Sequence, residues 1–296
     1  MDMTDQSPIS RQVTIVEVGP RDGLQNEPGV VPTDAKIAFI EALADAGLPV
    51  VEATSFVSPS AVPQLADAGE VMSRLRRKPD VRYPVLVPNE RGLERALAVG
   101  VDAIALFTAA TDAFCQANIR CTIDESFARF EPVVAKARNA GLWIRGYVSV
   151  AFHCPFSGPV EPEAAIAVGE RLLTLGCDEI CLADTIGTAQ PDEVGQLLSV
   201  ARDRLPFERL ALHFHDTHGQ AIANAGVGYD AGIRIFDGAA GGLGGCPFAP
   251  GAPGNVATEA LVGYFEERGV ATGVDRQAVI AAVQALRASL PASAPA

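Results

Sequence analysis

His213 and His215 flank Phe214 at the end of an apolar run, residues 209–214. Residues two apart in a strand point the same way, so both imidazoles face one side. Imidazoles set among apolar residues are costly unless their nitrogens are satisfied. A shared divalent metal would satisfy both, as would hydrogen bonds inside an ordinary core. Asp216 follows at once, and Asp22 comes just after another apolar run, residues 13–18. These carboxylates favour the metal. With Asn255 the donor set becomes two imidazoles, a carboxylate and an amide oxygen, without a thiolate. Such a set suits a hard or borderline ion that keeps room for water and substrate oxygens. Mg2+ or Mn2+ fits best, and Zn2+ is the third choice.

Two other segments carry chemistry. In Arg21-Asp22-Gly23-Leu24-Gln25, Arg21 could neutralise a developing oxyanion or hold a carboxylate, and Gln25 could hydrogen-bond a polar group. The tripeptide Arg-Asp-Gly by itself is a common turn. Further on, Gly241-Gly242-Leu243-Gly244-Gly245-Cys246-Pro247 precedes Pro250, Gly251, Pro253 and Gly254. This stretch reads as a loop that closes over substrate, or simply as a flexible connection. It is not a phosphate-binding P-loop, since no Gly-Lys-Ser/Thr follows. A thiol there, Cys246, suggests a proton donor or acceptor. The three lysines, Lys36, Lys78 and Lys136, fall on helices or in a connection. A Schiff-base aldolase needs a buried lysine inside its fold, so carbon–carbon chemistry here would run through the metal.

Something must bring these residues together. Short β-rich runs alternate with longer helical ones. Strands are expected at 13–18, 49–53, 82–87, 103–107, 143–150, 179–182, 209–214 and 233–237. Helices are expected at 33–46, 62–76, 89–99, 124–140, 161–175, 190–204, 220–231 and 255–268, with a final one at 276–290. The strands read as continuous apolar runs, as when both faces are buried. Repeated βα units imply a parallel sheet, and eight of them favour closure into a (β/α)8 TIM barrel over an open doubly wound sheet. The expected division is an extended or disordered 1–12, a single barrel domain at 13–270, and a C-terminal helix and tail at 271–296. Active sites of such barrels sit at the C-terminal ends of the strands. Glu17, Arg21, Asp22, Glu52, Asp184, His213, His215, Asp237 and Asn255 all fall at that rim.

Composition narrows the partners. The chain has 296 residues and a net charge of −13. That balance excludes a nucleic-acid backbone or an anionic membrane as partner. An anionic small molecule would need local positive charge, which a metal or a few arginines supply. No apolar stretch reaches the ~20 residues that span a bilayer. The first ten residues resemble neither a secretory signal nor a transit peptide, so a cytoplasmic location is expected. The six cysteines (115, 121, 154, 177, 181 and 246) form no CxxC pair, and the first five read as reduced thiols.

The blocks EVGPRDGLQNE at 17–27, EATSFVSP at 52–59, RGYVSV at 145–150, DTIG at 184–187, HFHDTHGQAIAN at 213–224 and GGLGGCPFAPGAPGNVATE at 241–259 run through nearly the whole chain. Together they resemble the 3-hydroxy-3-methylglutaryl-CoA lyase family. The first and last blocks are specific to that group. The HxHDT block is shared with isopropylmalate synthase-like enzymes and metal-dependent oxo-acid aldolases. The resemblance implies Asp22, His213, His215 and Asn255 as metal ligands. It implies catalytic roles for Arg21, Asp22, Glu52, His213 and Cys246, and substrate contacts from Arg21, Gln25 and Asp184. An acyl-CoA substrate and a homodimer are implied as well. His218, Pro28, Phe152-His153 and the run Phe236 to Ala240 depart from the family's pattern, which bears on the acyl group accepted.

The implied reaction is a retro-Claisen cleavage of 3-hydroxy-3-methylglutaryl-CoA to acetoacetate and acetyl-CoA. A base takes the hydroxyl proton, and Asp22, His213 or hydroxide on the metal could serve. Arg21 stabilises the enolate, and Cys246 or a neighbouring acid protonates it. The nearest rival is a lyase for a related acyl-CoA such as citramalyl-CoA. A synthase is disfavoured because the chain ends soon after the barrel. A non-catalytic binding barrel is the alternative from another class.

Overall fold

Apolar runs long enough for one barrel wall, each followed by a capped helix, produce a repeating unit. The computed structural model describes residues 12–244 and 254–290. In chain order the strands are β1 (Thr14–Glu17), β2 (Val50–Val51), β3 (Thr54–Ser55), β4 (Val85–Leu86), β5 (Ala103–Ala109), β6 (Trp143–Ser149), β7 (His153–Cys154), β8 (Gly158–Pro159), β9 (Glu179–Asp184), β10 (Leu210–Phe214) and β11 (Ile235–Gly238). The helices are α1 (Thr33–Asp45), α2 (Ala68–Arg74), α3 (Glu90–Ala98), α4 (Asp112–Ile119), α5 (Ile123–Asn139), α6 (Pro162–Leu175), α7 (Pro191–Ala201), α8 (Ala221–Ala231), α9 (Thr258–Glu267) and α10 (Arg276–Ser289).

Nine strands form one sheet in the order β2-β1-β11-β10-β9-β6-β5-β4-β3, and every pair is parallel. The two ends of that order are one run of chain: β2 lies within the second strand expected at 49–53, and β3 continues past it. The Glu52 amide donates to Glu17 O at 2.8 Å, and the Ala53 amide donates to Pro84 O at 2.9 Å. This segment therefore bonds to β1 on one side and to the third strand on the other, which closes the sheet into the expected (β/α)8 TIM barrel. The third strand is shorter than expected. Pro84 has no amide to give to a ladder, so the continuous strand is Val85–Leu86, with Arg82 held to Val50 by an isolated bridge.

Local chemistry sets the helix starts. The Asn89 side chain accepts from the Gly92 amide at 3.0 Å, and Thr122 with Glu125 forms a full capping box. One helix went unread in the sequence. α4 lies in the long connection after β5, begun by Thr111, whose hydroxyl accepts from the Phe114 amide, and ended by Arg120 at φ 54. Its eight residues show too little apolar periodicity to stand out. The β7–β8 hairpin was likewise unread. The helix expected from Asn255 begins instead at Thr258. Asn255 is extended and bridges His215, with its side chain used elsewhere.

The wall separates two environments. Outward-facing residues such as Ile144 and Val148 of β6 pack under the helices in one large apolar core. Inward-facing residues alternate with them. Inside lie Leu86, Ala105, Tyr147, Cys181 and Ala211, together with the buried charges Arg145 and Asp237. Lys36 is buried, yet it lies on α1 in the outer layer, where Nζ meets Asp67 Oδ1 at 2.7 Å and Gln64 O. Lys78 and Lys136 pair with surface acids. No lysine enters the barrel.

Candidate active site

Strand direction puts the C-terminal ends of β1, β10 and β11 at one mouth. Just past β1 the chain makes a tight turn, Gly19–Gly23, with the amides of Arg21, Asp22 and Gly23 all donating to Val18 O. This turn lifts Arg21 and Asp22 over the mouth. His213 and His215 project from the end of β10, with ring centroids 5.3 Å apart. Potential ligand atoms of Asp22, His213 and His215 all lie within 4.8 Å of one another. Asn255 completes the group from the far end of the chain. Its Nδ2 donates to Asp22 Oδ2 at 2.9 Å and to Leu243 O at 3.0 Å.

The lone pairs left over point to a cation. Asn255 Oδ1 and His215 Nδ1 are buried and have no hydrogen-bond partner. An unsatisfied buried polar atom costs about 1–3 kcal/mol, so such atoms in one place need an explanation. Their protonation states agree with a cation. Burial pushes the Asp22 carboxyl up, but the Arg21 guanidinium, the two imidazoles and the Asn255 amide outweigh it and hold the pKa at about 2. Burial, aided by the neighbouring His213, drives the His215 pKa down to about 4 against the pull of Asp22. An ionised carboxylate beside a neutral imidazole is the state in which both can ligate. The remaining His213 nitrogen is engaged, Nδ1 lying 3.2 Å from Asp237 Oδ2.

Arg21 sits beside this cluster. Its Nη1 donates to Asp22 Oδ1 at 2.6 Å, and its Nη2 donates to Glu52 Oε2 at 2.9 Å. Glu52 is fully buried beneath the guanidinium and does not line the cavity. Gln25 does line it, with Nε2 3.4 Å from Asp22 Oδ1. Asp184, expected among the substrate contacts, is placed otherwise. Its carboxylate accepts from the amides of Thr188 at 3.2 Å and Ala189 at 3.0 Å, shaping its own loop, while its neighbours Ala183 and Thr185 reach the cavity. Cys246 lies outside the described residues.

The cavity itself holds about 630 Å³, within the range of small-molecule sites. Arg21, Asp22, His213 and His215 form one end. The other runs past Phe107 and Phe114 to Asn118 and Arg129 on α4 and α5. The unread helix α4 is therefore a wall of the site. Sequence reading also missed Arg145 and Tyr147 as site residues, and left Glu17 and Asp237 as mere rim positions. A signal existed. Arg145 and Tyr147 alternate along an otherwise apolar strand, so their polar groups must face inward. Glu17 is fully buried and accepts from Gly19 N at 2.7 Å, Ala240 N at 2.9 Å and the Thr258 hydroxyl at 2.6 Å.

Fold and site together define a closed parallel α/β barrel with a buried cluster competent to hold a divalent cation at the mouth of a ligand-sized cavity. Comparison with known proteins makes this definite. The chain belongs to the HMGL-like family, whose model matches residues 12–286. It is 48% identical over 272 residues to a mitochondrial hydroxymethylglutaryl-CoA lyase of Bos taurus, covering 92% of this chain and 84% of the relative. It is 49% identical to a cytoplasmic 3-hydroxy-3-methylglutaryl-CoA lyase of Rattus norvegicus, covering 93% and 80%. The crystal structure of the HMG-CoA lyase from Brucella melitensis superposes with a TM-score of 0.92 at 51% identity, covering 94% of this chain and 98% of that one. An HMG-CoA lyase from Acinetobacter baumannii, solved with coenzyme A and 3-methylmalate, gives a TM-score of 0.90 at 41% identity, covering 96% and 93%.

Proposed function

We propose that the protein is a hydroxymethylglutaryl-CoA lyase, cleaving 3-hydroxy-3-methylglutaryl-CoA to acetoacetate and acetyl-CoA. The observation that carries this reading is the convergence of Asp22, His213 and His215 within 4.8 Å beside Arg21, in a chain 48% identical to a named lyase. Asp22, His213, His215 and Asn255 would hold Mg2+ or Mn2+, since the donors are imidazole, carboxylate and amide without thiolate. When bound, the cation supplies Lewis-acid polarisation of the substrate's hydroxyl and carbonyl oxygens.

The chain's own groups do the rest. The hydroxyl proton passes to a base, for which Asp22 and His213 stand nearest. The alkoxide electrons form the new ketone as C2–C3 breaks, and that bonding pair becomes the enolate of the acetyl thioester. Arg21 faces the cavity as a fixed positive charge for the enolate oxygen. Its ion pairs with Asp22 and Glu52 fix it before substrate arrives, so little reorganisation is needed. Cys246 protonates the enolate carbon. The part of the cavity lined by Asn118 and Arg129 is assigned to the CoA portion; a relative has been solved with coenzyme A.

A homodimer and a cytoplasmic location complete the reading. The five described cysteines are free thiols, which fits a reducing compartment, and the relatives include both cytoplasmic and mitochondrial forms. The test is acetyl-CoA release from 3-hydroxy-3-methylglutaryl-CoA with Mg2+, Mn2+ and EDTA in parallel. Metal-dependent release supports the assignment, and equal turnover in EDTA would overturn its chemistry. A second reading is cleavage of a related acyl-CoA such as citramalyl-CoA; one relative was solved with coenzyme A and 3-methylmalate, a positional isomer of citramalate. The same assay with that substrate separates the two.

A further inference from the structure

Arg145 carries a full charge in the middle of β6 at 1% exposure. A lone buried charge is strongly destabilising, so its surroundings must compensate it. Its Nε lies 2.8 Å from Glu179 Oε1, a charge contact in which the N–H is not aligned for a hydrogen bond. The two Nη groups point elsewhere. Nη2 donates to Asp237 Oδ1 at 2.6 Å, and the other oxygen of that carboxylate lies 3.2 Å from His213 Nδ1. Nη1 donates to the Tyr147 hydroxyl at 3.0 Å, and Tyr147 donates to Glu52 Oε2 at 2.9 Å, the oxygen that Arg21 also grips.

We propose that Arg145 is one positioning residue behind both halves of the site: it orients His213 through Asp237, and it holds Arg21 through Tyr147 and Glu52. The His213 arm rests on the metal-lyase reading given above. The argument is one of hydrogen-bond direction. A guanidinium has donors only, so the Tyr147 oxygen must accept from it and has its single proton left for Glu52. Glu52 therefore receives donors from Tyr147 and Arg21 on one oxygen, which fixes where the Arg21 fork can lie. On the other arm, the guanidinium takes one oxygen of the buried Asp237 carboxylate and turns the other toward His213. That oxygen then accepts His213 Nδ1–H, which leaves Nε2 with its lone pair toward the mouth. A carboxylate that orients a ligand histidine in this way typically contributes 10–100-fold in metal affinity.

The two arms can be cut separately. Asp237→Asn should weaken Mn2+ binding by about 10–100-fold, measured by calorimetry. Tyr147→Phe should leave Mn2+ affinity within about twofold, while displacing Arg21 lowers kcat for 3-hydroxy-3-methylglutaryl-CoA at saturating Mn2+ by up to about 100-fold. Arg145→Lys should show both losses, because an ammonium cannot span both acceptors. In metal-free protein, 15N spectra of the four histidines should show His213 as the Nδ1–H tautomer, lost in Asp237→Asn and kept in Tyr147→Phe. If Tyr147→Phe weakens Mn2+ as much as Asp237→Asn, or if the tautomer survives Asp237→Asn, the shared-anchor arrangement is wrong. Should Arg145→Lys fail to fold, the other two variants still decide. If the parent protein does not cleave this substrate, the functional reading fails, while the tautomer result still judges the His213 arm.

Discussion

Asn255 Nδ2 lies 2.9 Å from Asp22 Oδ2, although 233 positions separate the two residues in the chain. The contact exists because the last strand of the barrel pairs with the first, β11 beside β1. It joins a turn after one strand to an extended segment after the other. It also leaves Asn255 Oδ1 buried and without a hydrogen-bond partner.

Removing a donor from this group should remove metal. Asp22→Ala is expected to lower Mn2+ affinity by at least ~100-fold, since it takes away the only carboxylate among the four and leaves Arg21 without its nearer partner. Calorimetric titration of the purified variant checks this. Binding at parental strength would show that the ion sits elsewhere.

Gly244 offers a subtler approach to the same amide. Its φ is +95, and a Cβ there would lie 2.8 Å from Asn255 Nδ2. Gly244→Ala must therefore strain the backbone and push the amide off Asp22. The expected outcome is a stability loss of about 1–3 kcal/mol together with weaker Mn2+ binding. A variant with unchanged melting and unchanged affinity would contradict the geometry.

Stability should depend on pH through Glu17. Burial, partly offset by Thr258 and by the Ala240 and Gly19 amides, raises its pKa from 4.5 to about 7. A raised folded-state pKa means that the native state holds the proton more tightly than the unfolded chain. The stabilisation is complete below pH 4.5 and is lost as pH rises to about 7, amounting to about 3 kcal/mol at ~1.4 kcal/mol per pH unit. Glu17→Gln keeps an acceptor for both amides and a donor for the Thr258 hydroxyl. It should melt higher than the parent at pH 8 and nearly the same at pH 4.5. Parallel melting curves at the two pH values, with no gain at pH 8, would argue that Glu17 is ionised in place.

The role given to Cys246 is tested by kinetics. A general acid or base contributes ~10²–10⁴-fold, so Cys246→Ala should reduce kcat for acetyl-CoA release by that order. Mn2+ affinity should stay unchanged, because no thiol is needed among the ligands. Full turnover by this variant removes the thiol from the scheme.

The barrel was legible in the sequence because its evidence is local. Each apolar run, each cap such as Asn89, and the strand period that turns His213 and His215 the same way involve residues a few positions apart. So the two imidazoles, the Arg21-Asp22 turn and the eight-unit count were all readable. The strand-end rule had already placed Glu52 and Asn255 at the rim, and the shared blocks gave them roles. Element edges were less legible. Pro84 shortens its strand because it has no amide to donate, Glu52 donates across the sheet to Glu17, and α4 is too short to show a period.

Which polar side chains meet inside the barrel was decided only by tertiary structure. Arg145 and Asp237 are 92 positions apart, and Tyr147 and Glu52 are 95 apart. Their pairing depends on strand order, register and the closure at Glu52, and none of these is encoded within a window of neighbouring residues. By itself the chain determined the elements and the direction in which the strand histidines point. Closure of the sheet determined that an arginine in β6 would stand beneath both a histidine of β10 and the turn after β1. Long-range pairing fixes such distances, and local propensity does not carry them.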